Sequence, residues 1–306
     1  MREDEGRPHR HLVGERPGWQ GGTSQGGEPR YGPSSLPPMA LAVISLRHLV
    51  LFICIPAYNE APTVGLLLWR LRKVFQEYSR EYEVLVFDDG STDSTPETLR
   101  PYSKVLPLTI LGGRDRVGYA RALDGLLRAA AKRTRYPRRD AAVTLQGDFT
   151  DRPEDIPELI KRFEGGADVV VSQRASGDAV PAPVRRLRRL APWVLRPFVS
   201  VPGVADPFGS LRLYRVSVIR ELVKERGDAP IVHGAGWGAN VDLLIGAARY
   251  ARRVETVDVE PRYDLRPRAS RIRPWADAIG LFRLGRSARS RWTVNEPAGA
   301  AAKAAS

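Results

Sequence analysis

From Leu51 to Ile55 the chain is continuously apolar and then stops at Pro56, the pattern of a strand covered on both faces. Val64, Leu67, Leu68, Leu71, Val74 and Tyr78 follow at helical spacing. Pro62 falls in the first turn of that helix, where its missing N–H costs nothing. Glu83 to Phe87 is a second strand, and the turn-rich run Asp88-Asp89-Gly90-Ser91-Thr92-Asp93 follows it. Together these make one βαβ unit of ordinary size. Residues 106–111 are expected as a third strand, 119–132 as a helix rich in Ala, Leu and Arg, and 141–145, 168–172 and 254–259 as further strands. Alternation of this kind predicts an α/β fold, a doubly wound and mostly parallel sheet with helices on both faces.

The ends of the chain lack such a pattern. Residues 1–38 are rich in Gly and Pro, with Leu12, Val13 and Leu36 as their aliphatics, too few to offset the entropy of ordering. No apolar block of signal-peptide type follows the early arginines. The apolar stretch from Met39 to Ile55 is broken by Arg47 and His48, which leaves it short of the roughly 20 residues that span a bilayer. A soluble or membrane-peripheral protein is expected, and the Ala-rich end after Pro297 is expected to fray.

Composition adds little until charge is located. Of 306 residues, 42% are hydrophobic and 27% charged, as in ordinary globular proteins. The formal net charge is +13, which points to a polyanionic partner such as nucleic acid, an anionic membrane or a phosphorylated substrate. Residues 184–197 carry five arginines and no acid, and residues 265–292 carry eight arginines against Asp277, so these two stretches hold twelve of the thirteen net charges. Leu187, Leu190, Trp193, Val194, Leu195 and Phe198 are interleaved with the first, and Trp275, Ile279 and Phe282 with the second. Arginines with apolar anchors suit an interfacial element on anionic lipid, although a half-buried helix with a solvated basic side has the same pattern. No nucleic-acid recognition motif accompanies the charge. Cys54 is the one cysteine. That excludes a disulfide framework or a four-cysteine zinc site and leaves Cys54 as a small core residue.

In an open parallel sheet, ligands bind beyond the carboxyl ends of the strands. Three such ends are polar or acidic here: Tyr58-Asn59-Glu60, Asp88-Asp89, and Gln146-Gly147-Asp148 with Asp151. Neither G-x-G-x-x-G nor G-x-x-x-x-G-K-[ST] occurs at any of them, which counts against a standard dinucleotide site or a P-loop. Carboxylates at a sheet edge can hold a hard divalent cation or hydrogen-bond a base and ribose. The run from Asp88 to Asp93 is equally suited to an Asx turn that caps a helix, with Ser91, Thr92 and Ser94 helping.

Taken in order, Pro56-Ala57-Tyr58-Asn59-Glu60, Asp88 to Asp93, Arg116-Val117-Gly118, Gln146 to Pro157, Val171-Ser172-Gln173-Arg174 and Asp206 to Tyr214 resemble glycosyltransferase family 2 on the GT-A fold. The nearest branch is that of the polyprenyl (dolichyl) phosphate mannosyl- and glucosyltransferases, and the likeness covers residues 50–275. It implies a Rossmann-like nucleotide-binding half and an acceptor half within a catalytic domain at 49–264. Around that domain we expect a poorly ordered extension at 1–48, a basic, partly amphipathic segment at 265–292 and a flexible tail at 293–306. By resemblance, Pro56, Ala57, Tyr58, Glu60, Asp88, Asp89, Gln146 and Gly147 hold the nucleotide. Asp148, Asp206, Arg174 and Arg212 are the catalytic candidates, and Ser210, Ser270 and Arg271 face the acceptor.

The chain departs from the family at three places. The family's Asp-x-Asp, followed two residues later by Gln, is here Gln146-Gly147-Asp148 and then Thr150. A divalent cation, Mg or Mn, would therefore rest on Asp148, with Gln146, Thr150 and Asp151 as secondary candidates. The family's Asp-x-x-Ser-Gly-x-Arg appears with Gly209 and Ser210 exchanged, and Arg266 to Arg271 is one residue short of the Arg-x-x-Gly-x-Ser-Lys loop.

What the resemblance implies is inverting transfer of mannose or glucose from a donor such as GDP-mannose or UDP-glucose to a polyprenyl phosphate, peripherally at the cytoplasmic face of the membrane. A phosphate acceptor is already ionised and needs cationic positioning by Arg174, Arg212 and Arg271. A hydroxyl acceptor on a glycan, lipid or small metabolite needs a base, for which Asp206 is the candidate. Loss of the first aspartate also leaves a non-catalytic nucleotide-sugar binder open. His233 is expected in a structural or acceptor loop, and Asp242 falls where the family often has Glu before a Leu pair.

Overall fold

A computed structural model of the chain describes residues 49–174 and 201–259, together with 280, 282, 283 and 286. The expected extension and tail, the basic stretch 184–197, most of 265–292, and Ser270 and Arg271 lie outside these residues. Within them the chain runs β1 (Val50–Ala57), α1 (Ala61–Glu77), β2 (Glu81–Asp89), α2 (Thr95–Tyr102), β3 (Leu108–Gly113), α3 (Tyr119–Arg133) and β4 (Ala141–Thr144). It continues through a single 3₁₀ turn (Pro153–Asp155), α4 (Ile156–Glu164), β5 (Val169–Arg174), β6 (Arg212–Arg215), α5 (Val216–Arg226), α6 (Trp237–Ala248) and β7 (Val254–Val259). The strands form one sheet in the order β3-β2-β1-β4-β6-β5-β7.

β1 pairs in parallel with β2 and β4, β2 with β3, and β5 with β7. Only β6 runs against its neighbours, antiparallel to both β4 and β5. The sheet is thus mostly parallel, as expected, but β5 does not lie beside β4. The four-residue β6 is inserted between them.

Alternation along β1 divides the core in two. Leu51, Ile53 and Ile55 pack with Val64, Leu67, Leu68 and Leu71 of α1 and with Ile156, Leu159, Ile160 and Phe163 of α4. Phe52 and Cys54 point the other way, toward Leu123, Leu126 and Leu127 of α3, Ile219 and Leu222 of α5, and Leu243 and Leu244 of α6. Each such side chain contributes about 1.5–3 kcal/mol on burial, which fixes helices to both faces. Cys54 is fully buried, and that burial pushes its thiol far up. It is the core residue the sequence suggested.

The far edge is fastened by one carboxylate. Asp168 accepts from Arg215 Nε at 2.6 Å and from the Arg252 backbone N–H at 2.8 Å, joining β5, β6 and the turn before β7. Burial works to raise its pKa, but these donors and the two guanidinium charges outweigh burial and hold it below the ordinary value.

Candidate active site

The ends of β1 and β2 are adjacent, with Ala57 opposite Asp88, and the two loops beyond them are stitched together. Asn59 turns into the left-handed region at φ 54°, which Asn tolerates better than most residues. Its N–H donates to Ser91 Oγ at 3.0 Å, and its side chain accepts from the Thr92 N–H at 2.8 Å. Asp93 accepts from the N–H groups of Ala61 and Thr95 at 3.2 and 3.0 Å, so one carboxylate serves the first residues of both α1 and α2. This is the Asx-type capping that the residues suggested, and it accounts for the last half of the acidic run.

Asp88 and Asp89 divide the other half. Asp88 is half-buried and accepts from the Ser91 N–H at 3.0 Å. Asp89 is only 3% exposed, and its carboxylate takes the N–H groups of Val117 at 2.6 Å and Gly118 at 2.9 Å. It therefore anchors the loop that enters α3. Gly90 makes this approach sterically open: its φ is +65°, and a Cβ there would lie 2.8 Å from Arg114 O. From the same loop the Arg116 guanidinium stacks over the Tyr58 ring at 3.8 Å. Tyr58, Arg116 and Asp88 thus line the outer side of the crevice, while Asp89 stands behind them.

The β4 end joins this group through Thr63, whose hydroxyl lies 2.8 Å from Gly147 O and 3.1 Å from a Glu60 carboxylate oxygen. Gly147 in turn packs on Pro56 and Ala57. Two residues on, Phe149 adopts φ 62° with its ring buried in the core. A left-handed non-glycine residue of this kind costs about 1–3 kcal/mol. The ring goes inward while Asp148 stays half-buried at the loop surface, accepting from the Thr150 N–H at 3.0 Å. Thr150 Oγ1 is buried and has no hydrogen-bond partner. Asp151 is committed inside, where it accepts from the Gln146 N–H at 3.2 Å and from Ser210 Oγ at 2.5 Å. Ser210 itself is 2% exposed, so its hydroxyl serves this contact.

Arg212 is the most deeply placed candidate, at 1% exposure. Its guanidinium donates to the backbone carbonyls of Pro207 and Asn240 and, at 3.3 Å, to the Tyr214 hydroxyl. It sits under the Asp206 loop and holds it from below. Asp206 is half-buried at the head of that loop and accepts from the Phe208 N–H at 3.0 Å. The exchanged pair has a physical basis here. A Cβ at Gly209 would lie 2.8 Å from Ser172 O, so the glycine is needed at 209, and the hydroxyl at 210 reaches Asp151. Arg174 ends β5 opposite Val259.

Asp242 is fully buried in α6 and accepts from the His233 backbone N–H at 2.9 Å, with His233 Nδ1 at 3.2 Å. It thereby fixes the loop before the helix, a local pairing of the sort its sequence position allowed. Two site residues lacked a sequence signal of their own. Tyr119, the first residue of α3, donates to Asn240 Oδ1 at 2.8 Å. The one hint was an aromatic residue directly after Gly118 in a recognised motif.

The sequence model for Glycosyl transferase family 2 matches residues 52–223, more than half the chain, and spans every loop of this crevice up to the Asp206 signature. The chain belongs to glycosyltransferase family 2. An undecaprenyl-phosphate 4-deoxy-4-formamido-L-arabinose transferase of Photorhabdus laumondii is 32% identical over 129 residues, covering 40% of this chain and 37% of that protein. A dodecaprenyl-phosphate galacturonate synthase of Rhizobium johnstonii is 28% identical over 184 residues, covering 58% and 51%. The chain thus aligns with about half or less of these relatives' length. Glucosyl-3-phosphoglycerate synthase of Mycobacterium tuberculosis, solved with Mn2+, uridine diphosphate and glucosyl-3-phosphoglycerate, shares the GT-A fold at a TM-score of 0.54. It is 20% identical, with 87% of each chain covered.

The Mn2+ in that structure raises the question of fit. Among the described residues no cluster of three or more His, Cys, Asp or Glu side chains forms a cage. Asp148 remains a hard oxygen donor at the loop surface, and Mg2+ in particular is commonly held by one or two carboxylates plus substrate phosphates. The donor set fits an ion completed by a diphosphate.

Proposed function

We propose that the chain is an inverting hexosyltransferase that moves a sugar from a nucleotide-sugar donor to a polyprenyl phosphate at the cytoplasmic membrane surface, bound peripherally. The observation that carries the acceptor is that relatives whose names differ in the sugar share a polyprenyl phosphate. The two basic stretches with apolar anchors support the same reading, and Phe282 and Arg283 of the second are exposed on helical backbone. No helix among the described residues is long and apolar enough to cross a membrane.

In the reaction, the bond between the anomeric carbon and the diphosphate oxygen breaks with its electron pair leaving on the diphosphate. An acceptor phosphate oxygen attacks from the opposite face. The Tyr58–Arg116 stack offers a flat surface to the base, while Asp88 and Glu60 offer acceptors to base and ribose hydroxyls. A divalent cation held by Asp148 and the diphosphate would neutralise the leaving group. Arg174, Ser270 and Arg271 are assigned to the phosphates. Asp206, Ser210 and Arg212 form and support the loop on the acceptor side. An ionised phosphate needs no general base, whereas a hydroxyl acceptor does.

The test is transfer of labelled sugar from UDP- and GDP-linked hexoses to polyprenyl phosphate, with and without chelator. Lipid-linked product that is lost on chelation is the expected result, and no product from any common donor overturns the reading. Asp206→Asn separates the acceptors: with a phosphate, turnover drops less than about tenfold, whereas loss of a general base costs about 10²–10⁴-fold.

A further inference from the structure

Where the antiparallel ladder of β4 and β6 ends, a carboxylate carries it one step further. Thr144 faces Arg212 in the last pair, so the same register taken two residues on sets Gln146 opposite Ser210. At that step the Gln146 N–H donates to Asp151 Oδ2 at 3.2 Å, and the Ser210 hydroxyl donates to the same oxygen at 2.5 Å. The Ser210 carbonyl receives the Thr144 hydroxyl at 2.7 Å. Ser210 is thus tied to the β4 end through its carbonyl and, by way of Asp151, through its hydroxyl. Thr144, Asp151 and Ser210 are all buried, where a hydrogen bond is stronger than in water.

What this rung joins are two turns of the same kind. Asp148 Oδ1 accepts the N–H of Thr150, and Asp206 Oδ1 accepts that of Phe208, each at 3.0 Å. These are Asx turns, and both leave the aspartate half-buried. Asp148 lies three residues before Asp151, and Asp206 four residues before Ser210. The first turn belongs to the diphosphate side of the crevice and the second to the acceptor side. Transfer needs the leaving and attacking oxygens aligned across the anomeric carbon, and a misplacement of about 1 Å can cost 10²-fold.

We propose that Asp151 is a positioning residue: clasped by Ser210, it sets the spacing between the Asp148 and Asp206 turns, and with it the alignment of donor and acceptor phosphates. This deepens the reading above and rests on it, because it takes the two turns as the two substrate sides. Asp151 acts through Ser210 and the Gln146 backbone and is not a ligand of the cation.

The experiment is a double-mutant cycle in the full chain. It is read by kcat for labelled-sugar transfer to polyprenyl phosphate and by calorimetric binding of UDP and GDP with Mn2+. Ser210→Ala removes the hydroxyl and leaves the hydrogen bonds of both turns in place. Its kcat is expected to fall about tenfold or more, with nucleoside diphosphate affinity within about twofold of wild type. Asp151→Asn keeps an oxygen for both donors but gives up the charge, so a loss of a few-fold in kcat is expected, again with affinity held. The double variant is expected to lose no more than Ser210→Ala alone, since groups that act as a unit are not additive. In either single variant, an unchanged kcat or an affinity that falls in parallel overturns the proposal, as do additive losses in the double. A metal-ligand role for Asp151 predicts that parallel fall. Should Ser210→Ala fail to fold, Asp151→Asn decides by the same split. A wild type that transfers no sugar to polyprenyl phosphate sinks the reading of function and this proposal with it. Normal transfer with unchanged kcat in Ser210→Ala sinks the Asp151 assignment alone.

Discussion

The two walls of the crevice satisfy their polar groups in different ways. Around Tyr58–Glu60 and Asp88–Asp93, side chains and backbone N–H groups close short clips: Asn59 with Ser91 and Thr92, Asp93 with both helix starts, Asp89 with Val117 and Gly118. Around Gln146–Asp151 and Asp206–Arg212, tight turns at Asp148 and Asp206 are tied together by two buried contacts, Ser210 to Asp151 and Arg212 to Asn240, and the accounting is incomplete. Thr150 Oγ1, Ser172 Oγ and Arg212 Nε are buried there without partners. A buried polar atom left unpaired is costly. The first wall keeps the family's motif literally, and the second departs from it at 146, 150, 209 and 210. Where the sequence departs, the compensation is tertiary.

That contrast can be broken from the second wall first. Arg212→Met should cost about 3–5 kcal/mol in urea unfolding, because two buried carbonyls lose a charged donor. A loss under 1 kcal/mol would mean that the loop does not depend on it. Asp148→Asn should leave the melting temperature within a few degrees while transfer falls by about 10²–10³-fold, measured with labelled donor. On the first wall, Asp93→Ala should cost about 1–2 kcal/mol, since it strips a cap from two helix starts. Thermal unfolding checks it.

Asp168 lies outside both walls and sharpens the contrast by pH. Its folded pKa lies below the ordinary 3.8, so its contribution to stability is present above that value and is lost as pH falls through the folded one. Asp168→Asn should flatten the acid limb of a stability–pH curve below about pH 4 and leave nucleotide binding unchanged. The smallest effect is expected for Arg116→Ala. Its exposed cation–π contact is worth about 0.5–1 kcal/mol, so nucleoside diphosphate affinity should fall a few-fold with stability nearly constant.

Much of this was legible because it is local. The run Leu51–Ile55, the helical spacing from Val64 and the polar residues at three strand ends are written in neighbouring positions, and all sit where the pattern placed them. The third strand is displaced from 106–111 to Leu108–Gly113 because Leu106 and Pro107 belong to the turn before it. β6 escaped the pattern for a physical reason: it is four residues long with arginine at both ends, and one of those arginines is buried. Ile156, Leu159, Ile160 and Phe163 of α4 carry the helical period in the sequence. Tyr119 and Asn240 lie 121 residues apart, and no local rule pairs them. The basic stretches were located by charge alone, and their acceptor-side role remains a proposal.

The exchanged pair at 209 and 210 constrains how this chain can change over generations. Serine at 209 alone drives a Cβ against the β5 backbone, and glycine at 210 alone strips Asp151 of its hydroxyl partner. Each single step toward the commoner order is uphill, so the two orders are separate peaks with a valley between them. A lineage crosses only when both positions, and the strand at Ser172, move together.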